Sequence, residues 1–256
     1  MKITEIKLET IEDLPEALRT LKVPRMAEAF EEDQNDPESE TLSFGERFLR
    51  IVKKEVNARQ DKKIKHGITS AHLKMPGADF SDFDKSVQRE LSMDVLDRLK
   101  KCEWINQKMN LIITGPCGTG KTWIGSALGV IACENYMSVR YYPTNRLLMT
   151  LKTYSQIEYL DALNGMDKYD LLILDDVGLQ SYDLESCRIF FEILESRYLN
   201  GSVMFISQFP VSKWHDLFED KSYANGILSR MIEHSYRLPI SGEDIRTKGS
   251  HRNGDL

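Results

Sequence analysis

The residues with the clearest chemical meaning form a glycine-rich stretch near the middle of the chain. The stretch has the pattern G-x-x-x-x-G-K-T and directly follows an apolar run, residues 111–114. Glycines let backbone N–H groups converge on phosphates, and a helix that begins at the lysine adds partial positive charge. The pattern therefore predicts a P-loop that binds ATP. The residues predicted to contact the nucleotide are Gly115, Pro116, Cys117, Gly118, Thr119, Gly120, Lys121 and Thr122.

Two adjacent carboxylates add the acidic groups that ATP hydrolysis needs. Asp175 and Asp176 directly follow the apolar run 171–174, which is the arrangement of a Walker B strand. We expect Lys121 to bridge the β- and γ-phosphates, and Thr122 together with Asp175 to hold Mg²⁺. We expect Asp176 to orient and polarise the attacking water. Many ATPases of this kind have Glu there, and because Asp is one methylene shorter, basal turnover is predicted to be slow.

Polar residues later in the chain are candidates to complete the site. Ser207 and Gln208 follow the apolar run 203–206, where a strand inserted between the two Walker strands would carry a γ-phosphate sensor. Gln208 is the candidate and Ser207 the reserve. Arg230 stands just before the last predicted strand, where an arginine can reach into a neighbouring subunit's site, and Arg237 competes for that role. The alternative for Arg230 is a surface salt bridge.

A parallel sheet is needed to bring these residues together. Runs that are apolar without alternation are typical of buried parallel strands. Strands alternate here with helical patterns, which predicts an α/β fold with a doubly wound parallel sheet. The predicted strands are 111–114, 139–142, 171–174, 203–206 and 236–240. The predicted helices are 121–136, one capped by Thr144, 184–199 with Gly201 as its stop, 214–217 and 225–234.

The first third of the chain is predicted to form a small all-helical domain. Ser43 and Glu46 make a capping box that opens a long helix, which we expect to end before Gly67. Residues 67–84 have the composition of a linker. Because only a short segment follows the last predicted strand, we expect no helical C-terminal lid. The predicted domains are a helical N-terminal domain over 1–85, an ATPase domain over 86–247 and a flexible tail over 248–256.

Composition and charge limit the kind of protein. Hydrophobic residues make up 41% and charged residues 29%, and the net charge is −6. The sequence has no apolar run long enough to cross a bilayer and no signal peptide, so we expect a cytoplasmic protein without a membrane partner. Its four scattered cysteines predict reduced thiols, and no zinc site is predicted. Residues 28–46 are acidic and residues 50–65 basic, so the basic run could face phosphates or be a solvated helix face.

The motifs together resemble the IstB/DnaC group of AAA+ ATPases, and most closely the IstB-like transposition helper ATPases. The resemblance covers about residues 20–247. The sequence departs from the family at Cys117, usually Thr, Pro or Ala, and at Asp244, usually Ser, and neither position touches the chemistry. The segments that carry the resemblance are 21–29, 44–47, 102–105, the P-loop, 171–179, 207–208, Trp214, 228–230 and 242–246.

The resemblance implies a role beyond hydrolysis. It implies an AAA+ domain that forms ATP-dependent homo-oligomers on double-stranded DNA and delivers target DNA to a partner transposase. Arg230 matches the family's arginine finger, and Gln208 matches the sensor position. The region after residue 142, with Arg146 and Lys152, matches the segment that initiator-type AAA+ domains use to touch nucleic acid. The N-terminal domain would bind DNA or the partner, or support assembly.

Three other functions remain open at this point. A DnaC-like helicase loader would share the fold, with a replicative helicase as cargo and single-stranded DNA as the preferred substrate. A small-molecule kinase would need an acceptor pocket and a mobile lid with several arginines, and Asp176 and the sensor strand argue against it. A binding module in which ATP only gates assembly would release no phosphate.

Overall fold

The computed structural model describes residues 8–82 and 92–242 of the 256-residue chain. The chain divides into two compact units, Met1–Lys65 and His66–Leu256. The domain boundary predicted at residue 85 lies outside the described residues, as does the tail predicted over 248–256.

The first unit is helical. Pro24 occupies the first turn of its helix, where a missing N–H leaves no intrahelical bond unmade. Ser43 and Glu46 form the expected capping box: Ser43 N donates to Glu46 Oε2 at 2.8 Å, and Glu46 N donates to Ser43 Oγ at 3.4 Å. The helices are α1 (Leu14–Thr20), α2 (Pro24–Asn35) and α3 (Phe44–Ala71), with 3-10 turns at Ile11–Asp13 and Pro37–Thr41.

The acidic and basic stretches of this unit pair with each other. Asp33 is 3% exposed and accepts hydrogen bonds from Arg47 Nε at 2.8 Å and Arg50 Nη2 at 3.1 Å. The bond from Arg47 holds the pKa of Asp33 below its usual range. Further ion pairs are Arg50–Asp36, Lys54–Glu32 and Arg59–Glu55. Three cations of the basic run, Arg50, Lys54 and Arg59, are therefore paired with carboxylates of their own unit.

The long helix α3 continues past the glycine at which we expected it to end. Gly67 lies inside the helix, and a Cβ there would be 3.6 Å from Cβ of Cys133. The helix runs on to the fully buried Ala71, where it ends, and the next residue, His72, has a left-handed φ of 51°. The prediction that the helix ends before Gly67 is wrong. A helix tolerates a single glycine, and packing of this side of α3 against Cys133 keeps the segment helical.

A five-stranded parallel sheet forms the centre of the second unit and confirms the predicted fold class. The strand order is β2-β3-β4-β1-β5, so β4 lies between β1, which leads into the predicted P-loop, and β3, which ends at Asp175. The strands are β1 (Asn110–Thr114), β2 (Val139–Pro143), β3 (Leu171–Asp175), β4 (Ser202–Ser207) and β5 (Ser235–Pro239), and every pairing is parallel.

Helices cover both faces of the sheet. One core contains Leu111, Ile173 and Ile124, and the other contains Ile112, Leu174 and Phe190. Successive side chains of a strand point to opposite faces, which is why neighbours in β1 and β3 belong to different cores. The helices are α4 (Met93–Lys100), α5 (Glu103–Asn106), α6 (Lys121–Glu134), α7 (Thr144–Lys152), α8 (Gln156–Met166), α9 (Leu184–Arg197) and α10 (Lys221–Ile232), with 3-10 turns at Phe80–Asp82 and Val211–Leu217.

The helices differ from the predictions in several places, and the helix predicted over 214–217 is a 3-10 turn. Thr144 is the first residue of α7 rather than its cap, and its hydroxyl donates to the carbonyl of Asp175 at 2.7 Å. The last helix begins earlier than expected because Asp220 caps it, accepting from Tyr223 N at 2.9 Å. Helix α8 was not predicted, although its N-terminus carries a capping box.

Candidate functional site

The phosphate-binding loop joins β1 to α6 and uses its glycines for backbone shape. Gly118 and Gly120 have φ of 79° and 84°, which side chains other than glycine rarely adopt. Gly115 has φ of 154°, and a Cβ there would collide with the carbonyl oxygen of Ile240, which follows β5. The predicted P-loop residues therefore run without interruption from the carboxyl end of β1 into the first turn of α6.

Two side chains of the loop donate to one of its own carbonyls, that of Pro116. Lys121 Nζ donates to the carbonyl of Pro116 at 2.6 Å, and the hydroxyl of Thr119 donates to the same carbonyl at 2.9 Å. Thr119 is buried, whereas Cys117 is exposed. The lysine ammonium thus lies over the loop where phosphates would be cradled.

Asp175 is fully buried, and hydrogen bonds hold it from several elements. Its Oδ2 accepts from Thr122 Oγ1 at 2.9 Å and from the Tyr141 hydroxyl at 2.8 Å. Its Oδ1 accepts from Asp176 N at 2.8 Å. The period-2 alternation of β3 explains the meeting with Thr122, since Asp175 shares a face with Ile173, and α6 covers that face.

Tyr141 is a member of this site that the sequence did not identify. Burial raises the pKa of its hydroxyl, and the charge of Asp175 raises it further, so the phenol remains a hydrogen-bond donor. Tyr141 lies opposite Ile173 in the register of β2 and β3, on the face that also carries Asp175. The alternation of β2, combined with the parallel pairing, is the signal that could have found it.

Asp176 differs from its neighbour in backbone and exposure. It has a left-handed φ of 59°, and its side chain is 49% exposed. Partial burial raises its pKa, and the Asp175 charge adds to the rise, while Lys74 and Lys121 oppose it. Lys74, another residue that the sequence did not identify, places its Nζ 3.9 Å from Asp176 Oδ2.

The structure separates the two sensor candidates. Ser207 is fully buried, and its hydroxyl donates to the carbonyl of Val177 at 2.7 Å, which is a structural contact. Gln208 lines a cleft of about 370 Å³ together with Gly115 and Pro116 of the P-loop. Only Gln208 of this pair therefore borders space next to the P-loop.

Arg230 lies at the end of the sheet opposite the P-loop. Its carbonyl accepts from Asn110 Nδ2 at 2.9 Å, and Asn110 begins the strand whose other end leads into the loop. Its guanidinium pairs with Glu195 and lies 4.5 Å from the ring centroid of Phe191. The rival, Arg237, is exposed in the middle of β5.

The two predicted DNA contacts have different surroundings. Lys152 Nζ lies 2.6 Å and 2.7 Å from the two carboxylate oxygens of Asp183, which caps α9. Arg146 is exposed and borders a cleft of about 610 Å³ with Arg140 and Tyr154. Arg146 is therefore the more accessible cation of the two.

Fold and site together define a P-loop nucleotide-binding domain of the AAA+ class. Among solved structures, DnaI matches with a TM-score of 0.54 and 22% identity, covering 64% of this chain and 91% of that chain. The replication initiator DnaA, solved with AMPPCP and single-stranded DNA, matches with a TM-score of 0.53 and 22% identity, covering 72% of this chain and 58% of that chain. At such identities these similarities show the fold alone.

The chain belongs to the family of IstB-like ATP binding proteins, whose pattern it matches over residues 16–253. An insertion sequence ATP-binding protein of Sinorhizobium fredii is 36% identical over 230 residues, which cover 90% of this chain and 92% of the relative. The ATP-binding protein of insertion sequence IS21 from Pseudomonas aeruginosa is 28% identical over 245 residues, covering 95% and 92%. Within the described residues, no helix has the length and apolar character needed to cross a membrane.

Proposed function

We propose that this protein is a Mg²⁺-dependent ATPase that assembles as a homo-oligomer on double-stranded DNA and assists a partner transposase. One observation carries the enzymatic part: Thr122 of the P-loop and Asp175 of the Walker B strand meet at 2.9 Å. The family supports the transposition part, because the relatives are ATP-binding proteins of insertion sequences.

The donor set fits magnesium. Mg²⁺ prefers oxygen ligands and is bound through one or two protein groups together with substrate phosphates. The Thr122 hydroxyl and the Asp175 carboxylate are such groups, and both are held at the mouth of the P-loop. When bound there, the ion would neutralise charge on the phosphates.

Lys121, Gln208 and Asp176 take the other roles in the proposed reaction. Lys121 donates hydrogen bonds to β- and γ-phosphate oxygens, and Gln208 contacts the γ-phosphate or the water. Asp176 orients the water and accepts its proton as the water oxygen bonds to the γ-phosphorus. The bond from that phosphorus to the bridging oxygen of ADP breaks, and ADP and phosphate leave.

The domain assignment follows the same division of labour. The proposed ATPase domain over 86–247 contains both Walker motifs, and the proposed helical domain over 1–85 serves DNA, partner binding or assembly. In the structure the second compact unit begins earlier than this division, at His66. Because the whole chain is acidic, DNA contacts must come from local basic groups that an ordered oligomer presents together. Arg146 is one such group, and Lys152 would have to leave Asp183 to contribute.

We expect the protein to bind labelled DNA duplexes in the presence of Mg·ATP and to release phosphate while bound. Fluorescence anisotropy should show similar affinities for unrelated sequences of equal length. Affinity should fall at least about tenfold between roughly 50 and 200 mM salt, because phosphate contacts release counterions. Arg146→Ala should reduce the slope of log affinity against log salt concentration by about 1, as expected for the loss of one phosphate contact. Lys213→Ala, which removes an exposed lysine elsewhere, is the control. An affinity that does not change with salt would contradict binding to the phosphate backbone of DNA.

Replacing Tyr141 by phenylalanine should weaken the metal site without unfolding the domain. The change removes the hydroxyl that orients Asp175 Oδ2, and groups that orient a metal ligand contribute about tenfold or more to metal affinity. The Mg²⁺ concentration for half-maximal hydrolysis should therefore rise about tenfold. Tyr142→Phe, at the next position on the same strand, is the control. An unchanged Mg²⁺ requirement would remove Tyr141 from the site.

A DnaC-like helicase loader is the second candidate, because it would share the fold that this chain has in common with DnaI. That similarity is 22% in sequence, whereas the insertion-sequence relative reaches 36% over most of both chains. Co-purification separates the two candidates. A transposase encoded beside this gene should bind in the presence of ATP, and retention of a replicative helicase instead would favour the loader.

A further inference from the structure

A lysine outside both Walker motifs reaches the predicted catalytic carboxylates. Lys74 lies in the segment that follows α3, and its Nζ is 3.9 Å from Asp175 Oδ2 and 3.9 Å from Asp176 Oδ2. No sequence motif includes it. A cation equidistant from two neighbouring carboxylates reduces their mutual repulsion and favours one arrangement of both.

Leu73, the residue before Lys74, packs into the core and so fixes the backbone of this segment. Leu73 is 6% exposed and belongs to the same buried cluster as Ile173 of β3. A Cβ on Gly129 of α6 would lie only 2.8 Å from Leu73 Cδ2, so this glycine provides the space that Leu73 fills. Arg140 Nη1 also donates to the carbonyl of Ser70 at 2.9 Å. The ammonium of Lys74 is thus delivered from an anchored segment, although its side chain is 50% exposed.

The two aspartates depend on Lys74 to different degrees. Asp175 is held by Thr122, by Tyr141 and by a backbone N–H, so it keeps its place without an ammonium. The carboxylate of Asp176 is half exposed and pairs with Lys74, and the charge of Lys121 adds a weaker attraction. Loss of the Lys74 charge would therefore remove the ion-pair partner of Asp176 and leave Asp175 in place.

We propose that Lys74 is a positioning residue for ATP hydrolysis, which holds the carboxylate of Asp176 in the orientation that directs the attacking water. This inference rests on the proposed function, because it assigns the water to Asp176. Lys74 acts through Asp176 and not through nucleotide binding. Loss of Lys74 should therefore lower the turnover number, whereas the affinity for ATP, which the P-loop determines, should not change.

The experiment compares Lys74→Met and Lys74→Arg in two backgrounds, wild type and Asp176→Asn. In the wild-type background, Lys74→Met should lower kcat roughly tenfold, between the small effect of an exposed ion pair and the roughly hundredfold cost of misplacing a group by 1 Å. The Kd for Mg·ATP, measured by calorimetry, should stay within about twofold. Lys74→Arg keeps the charge and should restore most of the turnover. Lys213→Met, at an exposed lysine on the Val211–Leu217 turn, is the control and should not change kcat.

The Asp176→Asn background decides whether Lys74 acts through Asp176. Residues that work as a unit have non-additive effects, so Lys74→Met should cause no further loss there. An equal loss of kcat in both backgrounds would overturn the proposal, as would a parallel loss of ATP affinity or normal turnover of Lys74→Met. If wild-type protein with DNA and Mg·ATP releases no phosphate, the proposed function itself fails, and that result is seen before any variant is measured.

Discussion

Lys121→Ala protein is expected to fold normally and to bind ATP on the order of 100-fold more weakly than wild type. The ammonium is the charged donor of the P-loop, and hydrogen bonds to charged groups contribute more than neutral ones. Its backbone begins α6, and alanine is a good helix former, so the fold should persist. Calorimetric titration with Mg·ATP measures the loss, and a thermal melt checks the fold.

The loss of ATP binding in Lys121→Ala should also abolish the activities that require bound ATP. ATP-stimulated duplex binding and phosphate release should both disappear in Lys121→Ala. Lys213→Ala, which removes an exposed lysine elsewhere, should match wild type in every assay. Wild-type ATP affinity in Lys121→Ala would mean that the P-loop motif here is only a glycine turn.

Arg230→Ala should retain nucleotide binding and lose most hydrolysis. The transferred phosphoryl group spreads negative charge over its equatorial oxygens, and an arginine placed against them contributes about 10³- to 10⁵-fold in rate. Arg230 lies beside Asn110, at the amino end of β1, whereas the P-loop lies at the carboxyl end. It therefore cannot serve its own nucleotide and is expected to act on the ATP of a neighbouring subunit, after leaving Glu195.

Mixing variants tests this arrangement. Lys121→Ala subunits keep an intact arginine, and Arg230→Ala subunits keep an intact ATP site, so mixed oligomers should regain part of the hydrolysis. Arg237→Ala is the matched control and should retain activity on its own. If co-assembled mixtures recover nothing at any ratio, the ion pair of Arg230 with Glu195 is a structural contact and no finger.

The sequence predicted those parts of the site that depend on local order. A P-loop must follow one strand and precede one helix, and both were visible as an apolar run and a helical pattern around residues 111–136. The buried strand before Asp175 was visible for the same reason, because strands covered on both faces lack alternation. These features need no knowledge of which strand lies beside which.

The contributions of Tyr141 and Lys74 could not be read in this way. Each reaches Asp175 across the fold, Tyr141 from the edge strand and Lys74 from the segment after α3. Their placement depends on strand order and on the packing of Leu73 against Gly129, which no local pattern encodes. Helix α8 is a different case, because its capping box, Ser155 with Glu158, is a local pattern that the sequence does contain.

Counts of charge were the least informative part of the sequence. The basic run 50–65 suggested a phosphate-binding face, but Arg50, Lys54 and Arg59 form ion pairs with acidic residues of their own unit. Lys152, predicted to touch DNA, pairs with Asp183. The sequence shows how many charges a segment has, but the packing of the helices determines which charged residue pairs with which.

The position of β1 in the sheet has a consequence for protein synthesis. The strand that leads into the P-loop is flanked by β4 and β5, and both are translated long after it. The carbonyl of Ile240 then packs against Gly115, so the loop gains this neighbour only after β5 has been translated. A truncated translation product that contains the whole glycine-rich motif therefore still lacks the strand neighbours that shape its nucleotide site.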